Sequence, residues 1–511
     1  MCNTGMTNTR HRVLGMGVVV LLLGVPATSP GADFLRGNAN VDQRVDLSDA
    51  VCVLMHLFVA AGSPCSTPSC MDALDVDDDG RINLTDSVYL LSFLYRNAPA
   101  PPEPGALFCG PDPTGDSLNC VAHALCPPPI TCPVRSVGSF GEHQLPDLAV
   151  ATDESFVVVW ETDREGDGLF DIRAGVYNPD GTERIDPITA NTSNSGQQLK
   201  PAVGVDREGR FVVVWEDDSN SNKLFQIRAR GFNADGTERF PQFNVNESSR
   251  GQQLAPDVAV DQTGNFVVVW EDDGDGDAVF DVHVRGFNAD GTERFPQFKS
   301  HSGSSGQQLT PAIAMDPSGN FVVLWENDGN SDGEFQIEAR GFNPDGTQRF
   351  AQFTVHTQSS GQQRDPAVAM NSSGTFLAAW HDDRDGDGEY QIHARVFNAD
   401  STERVVQFTA NVNSAGQQIN PAVAINDAGN FVIAWESDRD NDNEYHVRCR
   451  RFTPDGTGEI DETKVDCIEP AQHINAAIGI DGSNRVQVFW DDIGASAQSQ
   501  VLGRSYTLSG P

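Results

Sequence analysis

The sequence predicts a mainly β protein, a seven-bladed β-propeller closed by an N-terminal strand and preceded by a small α-helical module. Three observations predict it. All seven tryptophans of the 511-residue chain, Trp160, Trp215, Trp270, Trp325, Trp380, Trp435 and Trp490, stand 55 residues apart, and a fixed period of that length means one supersecondary unit per repeat. Each repeat holds four short strand-like runs without helical periodicity, the pattern of a propeller blade. The last repeat stops after three strands, and the missing fourth lies ahead of the first blade.

The amino terminus comes first in order. Arg10 and Arg12 precede the apolar run Val13 to Val25 and small residues through Ala27 and Ala32, so residues 1–32 read as a secretory signal. That run is too short to span a bilayer, and no later stretch approaches the roughly 20 apolar residues of a membrane helix. The expectation is a protein exported or held at the cell surface, without a membrane span. With 34 Lys+Arg against 73 Asp+Glu, the net charge of −39 excludes nucleic acid as a natural partner. So many carboxylates call for solvent, arginine or divalent cations, and Ca²⁺ is the economical cation.

Residues 38–49 and 75–86 carry one pattern twice, 37 residues apart. Oxygen-bearing side chains stand at loop positions 1, 3, 5, 9 and 12, and position 7 offers its carbonyl, as a wrapped Ca²⁺ ion requires. The second loop supplies Asp75, Asp77, Asp79, the Arg81 carbonyl, Asn83 and Asp86; the first supplies Asn38, Asn40, Asp42, the Arg44 carbonyl, Asp46 and Asp49. The first is the weaker site, because Asn38 lacks a charge and Gln43 replaces the turn glycine. Each loop runs into an apolar helical segment, Ala50 to Ala60 and Val88 to Tyr95, and residues 33–96 form the module.

On these loops, residues 34–96 resemble a type I dockerin module, and the stretch Cys109-Gly110-Pro111-Asp112-Pro113-Thr114 through Cys120 is similar to secreted dockerin-like proteins of planctomycete-type bacteria. The resemblance implies docking to a cohesin-like scaffold through loop positions 10 and 11. Those positions hold Leu47-Ser48 and Leu84-Thr85, half of the paired-hydroxyl signature. It also implies frequent attachment to polysaccharide-degrading enzymes.

Residues 97–125 are a Pro-rich linker and a Cys-containing segment. In an exported chain the cysteines read as disulfides before metal ligands. Spacing does not fix the pairing; short loops favour Cys65–Cys70, Cys109–Cys120 and Cys126–Cys132, with Cys449 and Cys467 on neighbouring strands. Cys52, within Ala50 to Leu54, reads as an inert core thiol.

The propeller is expected over residues 126–511. In its third repeat the runs are Asp257 to Asp261, Phe266 to Glu271, Phe280 to Phe287 and Arg294 to Lys299. The second run is apolar on both faces, as in a strand sandwiched between sheets. Asn233-Ala234-Asp235-Gly236 fits a type I turn between the third and fourth strands. Cys132 to Val137 sits in the register of Gln242 to Glu247 and is expected to close blade seven. The domain resembles bacterial secreted propellers with Trp-containing repeats, and its Asp-Gly-Asp turns weakly resemble FG-GAP and integrin-type blades.

Loops joining the second and third strands share a face with those joining successive blades. The former are acidic, and two are candidate Ca²⁺ sites: Asp273, Asp275, Asp277 and Asp281, and Asp383, Asp385 and Asp387. Arg228, Arg230, Arg285, Arg340 and Arg395 read as structural pairing partners. For catalysis the sequence offers no residue set that breaks the repeat. No nucleophile elbow, zinc-protease motif or phosphate loop stands out; Tyr177, Tyr390, Tyr445 and Tyr506 form no evident cluster; and His143, His283, His301, His356, His381, His393, His446 and His473 read as surface variation. The resulting expectation is an exported calcium-binding interaction protein whose propeller binds protein or glycan. The alternative is an extracellular glycoside hydrolase or lyase acting on polysaccharide.

Overall fold

A computed structural model of the chain describes residues 39, 47–58, 71–96, 101, 135–136 and 142–507, apart from 194, 304–305, 359, 440, 459–461, 467–471 and 494–498. The chain divides into two compact units, residues 1–131 and 132–511.

The first unit packs α1 (Leu47–Phe58) and α2 (Leu84–Arg96). Both helices begin ahead of their expected starts, because loop positions 10 to 12 join the first turn. Asn83 Oδ1 accepts the Thr85 amide at 2.8 Å and so caps α2. Cys52, Val53, Ala73 and Leu74 form one small core, and Ala50, Val76 and Leu90 another. Cys52 is buried in the first of these cores, as expected, but is disulfide-bonded rather than an inert thiol.

The second unit is seven four-stranded antiparallel sheets. Blade three runs Gln253–Val260, Phe266–Asp272, Asp281–Phe287 and Glu293–Lys299. The first strands line the centre: each contacts the next, and that of blade seven (Gln472–Ile480) contacts that of blade one (Glu142–Val150), which closes the ring. The second strands are buried almost throughout, as their two-sided apolar sequence requires. Trp270 packs on Val212, Val214, Ile227 and Ala229 of blade two, and its indole N–H donates to Gln253 Oε1 at 3.0 Å. One tryptophan thus serves a sheet-to-sheet interface and anchors its own innermost strand.

The N-terminal strand, Arg135–Ser136, completes blade seven against Gln500–Thr507. Ser136 pairs with Leu502, which pairs with Trp490. The equivalent partner in blade two is Asn244, reached from Trp215 through Arg228. The closing strand therefore stands two residues from the register that the repeat spacing predicts. A slip of two keeps every side chain on its intended face.

The innermost strand starts at Gln253 rather than Asp257 and bulges before Pro256. The arginines staple neighbouring blades: Arg285 Nη1 donates to the Val245 carbonyl of blade two at 2.7 Å, while its Nε donates to Glu293 at 3.1 Å. Arg230, Arg340 and Arg395 repeat that contact, and Arg228 pairs instead with Asp217. Among the described residues no helix is long and apolar enough to cross a membrane.

Candidate functional site

The residue after each tryptophan is Glu161, Glu216, Glu271, Glu326, His381, Glu436 or Asp491. Its side chain reaches the next blade and accepts the backbone N–H of the bulge residue there. The donors are Lys200 (2.9 Å), Ala255 (2.7 Å), Thr310 (2.7 Å), Asp365 (2.6 Å), Asn475 (2.8 Å) and Leu145 (3.0 Å) onto carboxylates. In blade six the Asn420 amide donates to His381 Nδ1 at 3.3 Å. All seven bulge residues have positive φ, from 45 to 54°. Nothing in the sequence marks this belt of left-handed residues and latches. Burial pushes Glu161, Glu326, Glu436 and Asp491 up to about 7 and raises Glu271 as well.

Several departures from the repeat gather around one cavity. A cavity of about 530 Å³ between blades five and six is lined by Arg364, Asp365, His381, Tyr390, Gln417, Asn420, Asp438, Asn441, Asn443 and Tyr445, among others. His381 stands where every other blade carries an acid, and Tyr390 and Tyr445 stand where blades one to four carry Phe170, Phe225, Phe280 and Phe335. The sequence reading took His381 as surface variation, because the histidines are scattered over different columns, and found no evident cluster among the tyrosines, although Tyr390 and Tyr445 share a column. The bulge and the second strand bring them together: the His381 and Tyr390 rings meet edge to face with centroids 4.6 Å apart.

The polar order follows from the hydrogen bonds. His381 Nδ1 accepts from Asn420, which leaves the proton on Nε2, 3.6 Å from Asp365 Oδ2. Burial holds the imidazole down at about 3 and therefore neutral, with Arg364 adding to the effect. Burial also raises the Asp365 carboxyl and the Tyr390 phenol. Asp365 is nonetheless 42 % exposed and faces the cavity. Arg364 is committed elsewhere, with Nε 2.8 Å from Glu326 Oε2 and its guanidinium over the Phe335 ring.

The histidines are not surface variation. His143, His301, His356, His381, His393, His446 and His473 are buried and His283 is half-buried, several of them against tryptophan rings.

Of the expected cation ligands, Asp75, Asp77 and Asp86 converge in the first unit. Asp86 accepts the Val76 and Asn83 amides at 2.7 Å, and Asp75 accepts those of Asp79 and Gly80. Asp77 Oδ1 is buried without a hydrogen-bond partner. Burial pushes Asp86 up to about 6. Asp79 is exposed and outside that group, the Arg81 carbonyl accepts the Asn83 side-chain amide at 3.2 Å, and Asn83 Oδ1 is turned to the helix cap. In the first loop, Asn38, Asn40, Asp42, Arg44 and Asp46 lie outside the described residues, while Asp49 is buried in the first turn of α1.

In the propeller, Asp273, Asp275 and Asp277 converge, as do Asp383, Asp385 and Asp387. Asp281 does not join the former: it is held by Lys299 and, at 3.0 Å, by His301. The first aspartate of each group also closes its own loop, Asp273 accepting the Ala278 amide at 3.1 Å and Asp383 that of Gly388 at 3.2 Å. Cys449 is buried; Cys65, Cys70, Cys109, Cys120, Cys126, Cys132 and Cys467 lie outside the described residues, as does the signal segment.

No family model and no curated protein matches the chain, so the dockerin-like and integrin-type resemblances rest on the residues alone. Solved structures do match. A protein of unknown function from Dyadobacter fermentans is 11% identical, with 73% of this chain and 99% of that one covered and a TM-score of 0.42. An α-L-arabinanase from Penicillium chrysogenum, complexed with arabinobiose, is 12% identical over 60% of this chain and 93% of that one, at 0.42. A PL25 ulvan lyase is 11% identical over 73% and 98%, at 0.45. At these identities and scores, function is left to the site's own residues.

Proposed function

We propose that this is an exported glycan-binding protein whose cavity between blades five and six takes a saccharide. The observation that carries the reading is the concentration of repeat-breaking residues around that one cavity. Tyr390 and Tyr445 add phenol hydroxyls to the aromatic surface that phenylalanine supplies in other blades, and with Asp365, Gln417, Asn420, Asn441 and Asn443 they offer donors and acceptors for the hydroxyls of a sugar. The N-terminal module is read as holding Ca²⁺ at Asp75, Asp77 and Asp86 and tethering the propeller to a cohesin-like scaffold. The Asp273 and Asp383 groups are read as secondary Ca²⁺ sites.

A second reading, cleavage of the bound glycan, is favoured by Asp365. Its carboxyl holds a proton to higher pH than a free aspartate and is oriented by His381, as a general acid would be, and Asp438 lines the same cavity as a second carboxylate. Titrating the full chain with a polysaccharide panel, while following heat of binding, new reducing ends and unsaturated products, tests both. Binding lost in Tyr390→Phe/Tyr445→Phe supports the first reading. Products lost in Asp365→Asn, with binding kept, support the second. Absence of binding to every polysaccharide would sink both.

A further inference from the structure

We propose that His446, Asp466 and His473 form a site for a transition-metal cation of the Zn²⁺ type at the seam between blades six and seven. His446 opens the third strand of blade six (His446–Phe452), Asp466 follows that blade's fourth strand (Thr463–Lys464), and His473 lies on the first strand of blade seven. His446 Nδ1 is 2.7 Å and His473 Nδ1 2.5 Å from Asp466 Oδ2. The side chains of His473 and Asp466 are fully buried, and that of His446 is 11% exposed.

The His473 contact is close but not aligned as a hydrogen bond: neither ring nitrogen of His473 has a hydrogen-bond partner, and neither does Asp466 Oδ1. Two imidazole nitrogens and a carboxylate oxygen, gathered at one buried point, are a donor set for Zn²⁺ rather than for Ca²⁺, which takes oxygens alone. Asp492 Oδ1 stands 3.6 Å from His473 Nε2, where a carboxylate behind a ligating imidazole fixes its tautomer and orientation. The only other cation beside Asp466 among the described ion pairs is Lys464, with Nζ at 3.9 Å.

Comparison with the other blades shows that the combination of two histidines and an aspartate, rather than any one of them, is particular to this seam. Where His473 stands, blade one also carries a histidine, His143, and blades two to six carry Gln198, Gln253, Gln308, Gln363 and Gln418; where Asp466 stands, blades one, two and five carry Asn191, Asn246 and Asn411 and blades three and four carry His301 and His356. In blade three the equivalent positions hold a single histidine–aspartate pair, His301 and Asp281 at 3.0 Å. In blade two the corresponding contact is a neutral amide pair, Asn246 Nδ2 donating to Gln226 Oε1 at 2.7 Å. The other candidate metal groups among the described residues are aspartates only.

The location gives the site a purpose. Fourth strands of blades one to five are seven residues long, whereas that of blade six has two among the described residues, as does the strand closing blade seven. A metal bridging blade six to blade seven would clamp the ring where its ladders are shortest.

The test uses the full chain in saturating Ca²⁺, which fills the acidic loops, then Zn²⁺, desalting and metal analysis by mass spectrometry. It is compared with His446→Gln/Asp466→Asn/His473→Gln, which restores residues that fold in other blades, and with His473→Gln alone. The expected result is one retained Zn²⁺ per wild-type chain, lost in both variants, and a Zn²⁺-dependent rise in Tm seen only in the wild type. Equal Zn²⁺ in wild type and variants, or a folded wild type that retains none, would overturn the proposal.

Discussion

At the scale of single residues, the belt of bulges concentrates cost and compensation in one place. Ala255 has φ of 46°, a conformation that costs an L-residue ~1–2 kcal/mol and glycine little. Ala255→Gly is therefore expected to stabilise the propeller by about 0.5–1 kcal/mol in urea unfolding, net of the freedom glycine adds to the unfolded chain. Glu271→Ala leaves the Thr310 amide without its acceptor and is expected to cost about 2–3 kcal/mol. Glu271→Gln keeps an acceptor oxygen and should cost less than half of that.

The same latches set a pH dependence. Glu436 is raised from 4.5 to about 7, chiefly by burial, so between those values the native state holds a proton that the unfolded chain has released. This contribution is fully present below the unfolded pKa and lost as pH rises through about 7. The pH-dependent part that Glu436 contributes is on the order of 3 kcal/mol. Glu436→Gln should therefore gain stability relative to wild type as pH rises, and denaturant midpoints across that range would show it. A wild-type-to-variant difference that stays flat with pH would mean that Glu436 is ionised in the native state.

At the scale of elements, close approach decides what a position tolerates. A Cβ at Gly286, on the third strand of blade three, would fall 2.2 Å from the Phe295 ring, and Gly231 and Gly341 meet Phe240 and Phe350 in the same way. Gly286→Ala is expected to cost about 1–3 kcal/mol by overpacking, read as a lower urea midpoint with unchanged slope.

Elements also differ in how far the sequence discloses them. The tryptophan period and the two-sided apolar second strands disclosed the blade count, because burial on both faces leaves an unbroken apolar run, and the three-stranded last repeat disclosed the closing strand. The latches were hidden: Glu271 at the end of Phe266 to Glu271 looks like a solvated strand terminus until the neighbouring blade presents the Thr310 amide to it. His381 and Tyr390 were visible as departures from their columns. Their meeting depends on antiparallel pairing, which sets Asp382 opposite Gln391 and so brings residues nine apart to one spot. His446, Asp466 and His473 come from two blades, and no spacing motif within one blade could join them.

At the scale of the whole molecule, the proposed scaffold capture by the acidic N-terminal unit is expected to depend on Ca²⁺ and the propeller's saccharide binding is not. Removing Ca²⁺ with a chelator should abolish capture of a cohesin-like scaffold and leave the propeller's saccharide binding in place. Asp75→Ala should reproduce the loss of capture, since Asp75 and Asp86 would otherwise face one another buried and uncompensated.

The central claim is that function resides where departures from the seven-fold repeat gather, at the cavity of Asp365, His381, Tyr390 and Tyr445. The most direct measurement is calorimetric titration of the best polysaccharide from the panel into wild type and into Asp365→Asn/Tyr390→Phe/Tyr445→Phe, whose residues all occur at the same positions of other blades. The account predicts one saccharide site per wild-type chain and at least about tenfold weaker binding in the variant, or ~1.4 kcal/mol, at unchanged Tm. Undiminished binding by a folded variant would contradict it and move the site elsewhere on the ring.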